Sequence, residues 1–321
     1  MLTPAPPVPS AAPGRRALLG VALGAWALGH SGGARAADPL LWLVAPDQTG
    51  AYAQALAALR EGLPGTTLRS LAPTQLPAPG REPPPALVIT LGSAAYGAAL
   101  ARAAADPALA QVPVVAGLLP RASFEAQPQR ASPPVTAVWL DPGVERHLDL
   151  IRLALPTRKK VGVLWGPSSR LWRPALQRAA AERGLQLVDA ELPDTELFPA
   201  LSRVLDEADV FLALPDNAVF TPASLNNMLI AAYRQRVPVL GYAATHVRAG
   251  AVLALHTEPH QAGREVAQLA RRVLAERRVP AAGPARLLSV GLNDQVARSL
   301  GLVLPDAASL TQTLQRSEGK P

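Results

Sequence analysis

The chain has 321 residues, 49% hydrophobic and 17% charged, which argues against a disordered polymer and leaves room for two α/β lobes with separate cores. It contains no cysteine, so disulfide frameworks and thiol chemistry are excluded. The formal charge of +7 overstates the basicity: residues 1–36 hold three arginines and no acid, which leaves 28 basic against 24 acidic residues, net +4. The basic residues are scattered apart from Arg158-Lys159-Lys160, Arg271-Arg272 and Arg277-Arg278. No basic stripe is interleaved with aromatics, so nucleic acid is not an expected partner.

At the N-terminus Arg15-Arg16 precede an uncharged apolar stretch from Ala17 to Gly29, followed by Ala34-Arg35-Ala36. A basic region, an apolar core of about a dozen residues and an A-x-A site make a secretory signal over residues 1–36, too short to span a bilayer. The paired arginines allow either the general or the twin-arginine route, so a periplasmic location is expected, with the mature chain starting at Ala37 or Asp38. There is no lipobox cysteine.

The mature chain then alternates short apolar runs with helical patterns. Leu40–Ala45 reads as a strand tipped by Pro46 to Gly50, Ala51–Leu63 as a helix, and Thr67–Leu71 as a strand. Residues 73–85 are too rich in proline for a helix or central strand. Ala86–Leu91 is an apolar strand ending in Gly92-Ser93, with a helix to about Ala105; Val112–Gly117 and Val135–Leu140 are further strands. This half is β-α-β-loop-β-α-β, one doubly wound lobe.

A second half opens near Asp141-Pro142-Gly143. It has a helix over Val144–Leu155, a strand Val161–Trp165 tipped by Gly166 to Ser169, and a helix 171–183 closing on Gly184. Leu185–Val188 and Leu197–Leu205 form the next strand and helix. The most informative stretch is 209–255. Val210–Leu214 is a buried strand, and Asp216-Asn217 follow at its tip. Thr221-Pro222 starts a helix to about Arg236, and Val237–Gly241 and Ala251–Leu255 are strands separated by a loop, Tyr242–His246, and a turn at residues 247–250. A long helix from Pro259 to about Arg278, a short strand Leu287–Val290 and the segment 293–305 follow, with 306–321 as a C-terminal tail.

Polar residues at strand tips are where open α/β sheets bind ligands. Asp216 can pair with a ligand ammonium and Asn217 can donate and accept; local capping is the alternative. Ser93 and Ala94 open a helix whose free amides can hold an anion, or Ser93 simply caps it. Tyr242, Trp165 and Leu119 can supply apolar or stacking walls, or ordinary packing. His256 and His260 flank Glu258, but Pro259 interrupts a common helical face, so two exposed histidines at a loop-to-helix junction are expected and no metal. No G-x-S-x-G, P-loop or G-x-G-x-x-G pattern occurs in the mature chain, so no catalytic residues and no cofactor are expected.

Five stretches carry a family likeness: Leu214-Pro-Asp-Asn-Ala-Val, Val237-Pro-Val-Leu-Gly, Val247-Arg-Ala-Gly-Ala, Gly263-Arg264-x-x-Ala267 and Asn293-x-x-Val296-Ala297-x-x-Leu300-Gly301-Leu302-x-x-Pro305. Together, over roughly 86–305, they resemble substrate-binding proteins of ABC-type uptake systems with the type I periplasmic-binding fold, in a branch that includes aromatic-amino-acid binders. The resemblance implies two doubly wound parallel-sheet lobes around a ligand cleft: 38–140 with about 256–285, and 141–255 with about 286–305. It implies a monomer delivering a small ligand, an amino acid or similar organic molecule, to an inner-membrane ABC permease. A periplasmic sensing module for a membrane receptor or kinase is the alternative, and an α/β hydrolase a third class. Two loops that face the ligand in the family depart from its pattern: Gly117-Leu118-Leu119-Pro120 and Trp165-Gly166-Pro167-Ser168. The second adds Ser168 to the candidates.

Overall fold

The computed structural model describes residues 38–127, 133–192 and 196–318. The expected signal segment 1–36 lies outside the described residues. In chain order the elements are β1 (Leu40–Val44), α1 (Gly50–Gly62), β2 (Thr67–Leu71), β3 (Leu87–Leu91), α2 (Ser93–Ala104), β4 (Val114–Leu119), α3 (Arg121–Glu125) and β5 (Val135–Trp139). There follow α4 (Val144–Ala154), β6 (Lys160–Trp165), α5 (Arg173–Glu182), β7 (Gln186–Glu191), α6 (Leu197–Glu207), β8 (Val210–Leu212), α7 (Pro222–Arg234) and β9 (Val239–Gly241). The last are α8 (Ala244–Ala249), β10 (Leu253–His256), α9 (Pro259–Glu276), β11 (Gly283–Pro284), β12 (Ser289–Leu292), α10 (Asp294–Ser299) and α11 (Ala307–Glu318).

The strands form two six-stranded sheets, ordered β11-β5-β4-β3-β1-β2 and β12-β10-β9-β8-β6-β7. Composition explains the positions. β8 is wholly apolar, β3 is apolar apart from Thr90, and both are fully buried, as central parallel strands must be when helices cover both faces. β2 and β7 carry Arg69, Ser70, Gln186 and Glu191 and lie at edges, where half the strand meets solvent. All pairings are parallel except β10 with β12, where His256 faces Ser289 and Leu253 faces Leu292.

Alternate residues serve opposite faces of each sheet. Leu41 and Leu43 join the core under α1 and α9, whereas Trp42 and Val44 pack with Tyr96 and Ala99 of α2. In the second sheet Val161 and Val163 pack with α4 and α5, while Leu164 and Phe211 pack with α6 and α7. The helix α9 follows β10 of the second sheet but lies on the first, against α1. It gets close because residue 263 is glycine: a Cβ there would sit 2.2 Å from the Ala55 carbonyl oxygen.

Three local expectations are corrected. The segment 242–250 is mostly the short helix α8, closed by Gly250 at φ 123°, and not loop and turn. His256 is buried as the last residue of β10, its Nε2 2.7 Å from Glu258 Oε1, whereas His260 is exposed. Most of the supposed tail is α11, whose Leu310 and Leu314 join the core of the second lobe.

Candidate functional site

In each sheet the parallel strands end at one edge, and the connections between lobes leave from that edge. Residues 140–143 lead from the end of β5 to the start of α4, which runs back to β6. Residues 257–258 lead from the end of β10 to the start of α9, which runs alongside α1, with Ala55 near Gly263 and Gly62 near Ala267. Both therefore join strand-tip edge to strand-tip edge, and the two sets of tips border one cleft. A third connection, between β11 and β12, closes the set.

On the first lobe the tip of β3 is Gly92, at φ 88°, where a Cβ would stand 2.6 Å from the Tyr52 hydroxyl. Ser93 and Ala94 are exposed there at the first turn of α2, and no side chain caps that helix. Leu119 is fully buried and packs with Phe124, Tyr96 and Ala137, so it belongs to the core and not to a cleft wall.

On the second lobe Trp165 is also 0% exposed, its indole N–H donating to Asp189. It too is core. The structure likewise corrects Asp216. Its carboxylate is 3% exposed and accepts from Ser168 N at 2.9 Å, Ser169 N at 2.8 Å, Ser169 Oγ at 3.0 Å and Ala218 N at 3.0 Å. Gly166 closes over it, since a Cβ at 166 would lie 2.6 Å from the carboxylate. Asp216 thus ties the β6 tip to the β8 tip, in line with the local-capping alternative rather than ligand pairing. That role fixes Ser168, which is half-buried and commits its amide to Asp216. Asn217, next in sequence, is exposed.

Tyr242, at the tip of β9, is half-buried, edge-on to Phe220 at 6.0 Å and to His246 at 4.3 Å between centroids. Burial, with the charges of Asp141 and Asp216 added, pushes its phenol up to about 12, so it stays a neutral hydrogen-bonding group. Asp141 is the residue that sequence reasoning passed over as a mere boundary. It lies in the first connection, is 9% exposed, accepts the Arg121 backbone N–H, and is held above the usual carboxylate range by desolvation. The Arg121 guanidinium rests 5.5 Å from the Trp139 ring centroid, and Trp139 is half-exposed. The signal available in sequence was an acid shortly past a strand end, the same kind of signal that drew notice to Asp216.

Asp216 and Asp141 both lie near Tyr242, while Ser93, Ala94 and Asn217 lie exposed at strand tips. Among the described residues no group of three or more His, Cys, Asp or Glu side chains is arranged to hold a metal ion.

Two parallel-dominated α/β lobes whose strand tips meet at shared connections define a bilobed binding protein of type I periplasmic-binding architecture. The chain belongs to the ABC transporter substrate binding protein family, whose pattern matches residues 87–313. Solved structures that share the fold include the following three. A conserved domain protein from Vibrio cholerae is 22% identical, covers 85% of this chain and 98% of its own, and superposes with a TM-score of 0.54. A domain from Streptococcus pneumoniae in complex with L-Trp is 14% identical over 85% of this chain and 98% of its own, TM-score 0.54. The ligand-free, open structure of a substrate binding protein with adhesive properties from Clostridium difficile is 16% identical over 84% and 96%, TM-score 0.63. No curated protein matches the chain.

Proposed function

We propose that the protein is exported to the periplasm, captures an amino acid or similar small organic molecule between its lobes as a monomer, and hands it to an inner-membrane ABC permease. The observation that carries this reading is the meeting of both sets of strand tips at the connections, so that closure of the lobes encloses whatever binds there. Lobe 1 is 38–140 with about 256–285, and lobe 2 is 141–255 with the rest of the described chain. Membership in a transport-binding family supports the delivery role, and the L-Trp complex of the Streptococcus domain supports the ligand class.

The site we assign is Tyr242 with Ser93, Ala94, Ser168 and Asn217, and Asp141 behind the tyrosine. A neutral phenol beside two carboxylates suits a ligand with a donor group, such as an ammonium, while the amides opening α2 suit a carboxylate. Mass spectrometry of ligand released from native protein identifies the molecule, and calorimetric titration with it measures the affinity. Tyr242→Phe should then weaken binding about tenfold, roughly the worth of one hydrogen bond in a closed cleft, with the melting temperature of the free protein little changed. Release of no small molecule from native protein, together with no titratable binding of amino acids, defeats the reading.

A further inference from the structure

The third connection between the lobes is very short. Ala285 is 1% exposed in the core of the first lobe and its N–H donates to Trp139 O at 2.9 Å. Leu288 is 0% exposed in the core of the second lobe. Only Arg286 and Leu287 lie between the two cores. Both of their backbone N–H groups donate to one buried carboxylate, Glu265 of α9: Arg286 N to Oε2 at 2.9 Å and Leu287 N to Oε1 at 2.6 Å. Glu265 is 8% exposed.

Glu265 ends a polar series at four-residue spacing, Thr257, Gln261 and Glu265, that runs from the connection into the first two turns of α9. Thr257 Oγ1 donates to Leu287 O at 3.0 Å, and Gln261 Nε2 donates to Ser289 Oγ at 3.1 Å. From the second lobe come Arg146 Nη1 to Ala285 O at 2.6 Å and Gln315 Nε2 to Leu288 O at 3.3 Å. The grip on the two linking amides themselves is wholly from the first-lobe side and is charge-assisted, the stronger kind of hydrogen bond.

We infer that Glu265 is a positioning residue that fastens Arg286 and Leu287 to the first lobe, so that lobe motion at this connection turns at the Leu287–Leu288 junction. The link to ligand binding rests on the cleft reading above; the fastening does not. Without the carboxylate, rotation spreads over both linking residues and the free protein samples a wider range of lobe angles.

The test is residue-resolved amide exchange on the ligand-free protein, comparing wild type, Glu265→Gln and Glu265→Ala. Wild type should protect the Arg286 and Leu287 amides at least about 100-fold. Glu265→Ala should speed both by about tenfold or more. Glu265→Gln should speed one more than the other, because a carboxamide offers one acceptor oxygen and turns a donor toward the second N–H. The absence of cysteine lets spin labels be placed cleanly at Ala104→Cys on α2 and Ala181→Cys on α5, both exposed. The distance distribution between them should broaden in Glu265→Ala. The inference is overturned if the two amides are unprotected in wild type, or if neither variant changes exchange or distance distribution. It is also overturned if both variants speed Ile89 and Leu212 as much as Arg286 and Leu287, which would make Glu265 a general fold determinant. A failure to find any ligand leaves these readouts intact and counts against the cleft reading alone.

Discussion

At the scale of single residues, the buried carboxylate of Asp216 illustrates how a polar group at a strand end can serve the scaffold. Three donors converge on Oδ2 and one on Oδ1. In Asp216→Asn the oxygen can keep the first set, but the amide then meets the Ala218 N–H donor to donor. The expected loss is about 1–3 kcal/mol of stability, read as a lower melting temperature in the free protein, since an unsatisfied buried group costs that much. Two histidines give the fold a pH limit. Burial lowers His147 and His246 from 6.5 to about 4 each. Between those values the unfolded chain binds more protons than the folded one. The stability they confer is therefore complete above pH 6.5 and is lost as pH falls through 4, up to on the order of 3 kcal/mol each. Asp141, raised by burial, works in the opposite sense. Denaturation midpoints of wild type and His147→Gln measured from pH 7 to pH 4 share the Asp141 contribution, so the difference between them reports the histidine. The midpoint of the variant should fall less.

At the scale of elements, α9 is the piece that ties the fold together. It leaves the second sheet, covers the first, and buries Val266, Ala267, Ala270 and Val273 there. Its approach to α1 depends on two glycines that present no Cβ to the partner: Gly263 against Ala55 O, and Gly62, where an added Cβ would stand 2.5 Å from the Ala267 Cβ. Gly263→Ala should destabilise by about 1–3 kcal/mol through overpacking, even though alanine is the better helix former. Gly283→Ala is the control, because nothing lies within 4 Å of the added carbon. Thermal denaturation of the two variants side by side decides the point.

At the scale of the whole molecule, two lobes on three short connections are free to move mainly by hinge bending. Saturation with the released ligand should lower the radius of gyration in small-angle scattering, with little change in far-ultraviolet circular dichroism. Scattering curves that superpose with and without ligand count against a trap mechanism.

Most of the α/β alternation was legible in the sequence because its signals are local. Leu87–Leu91 and Val210–Leu212 are short, largely apolar runs of the length and β-branched content that suit a strand buried on both faces, and Thr221-Pro222 starts α7 with its own cap, the Thr221 side chain accepting from Ser224 N. The fold family was legible for the same reason, since motifs in register survive without knowledge of contacts. The short helix α8 and the core-packed α11 were missed, because six residues give too little periodicity and the partners of Leu310 and Leu314 lie far off in sequence. Site chemistry was the least legible. A carboxylate after a strand looks the same in sequence whether it faces a ligand, as was expected of Asp216, or turns back to hold Ser168 and Ser169. Which one occurs depends on a glycine fifty residues earlier that lets a loop close over it. Local patterns, set by neighbours along the chain, determined the elements and the family. The direction of each polar side chain was decided only by tertiary packing, because that packing chooses which donors reach it.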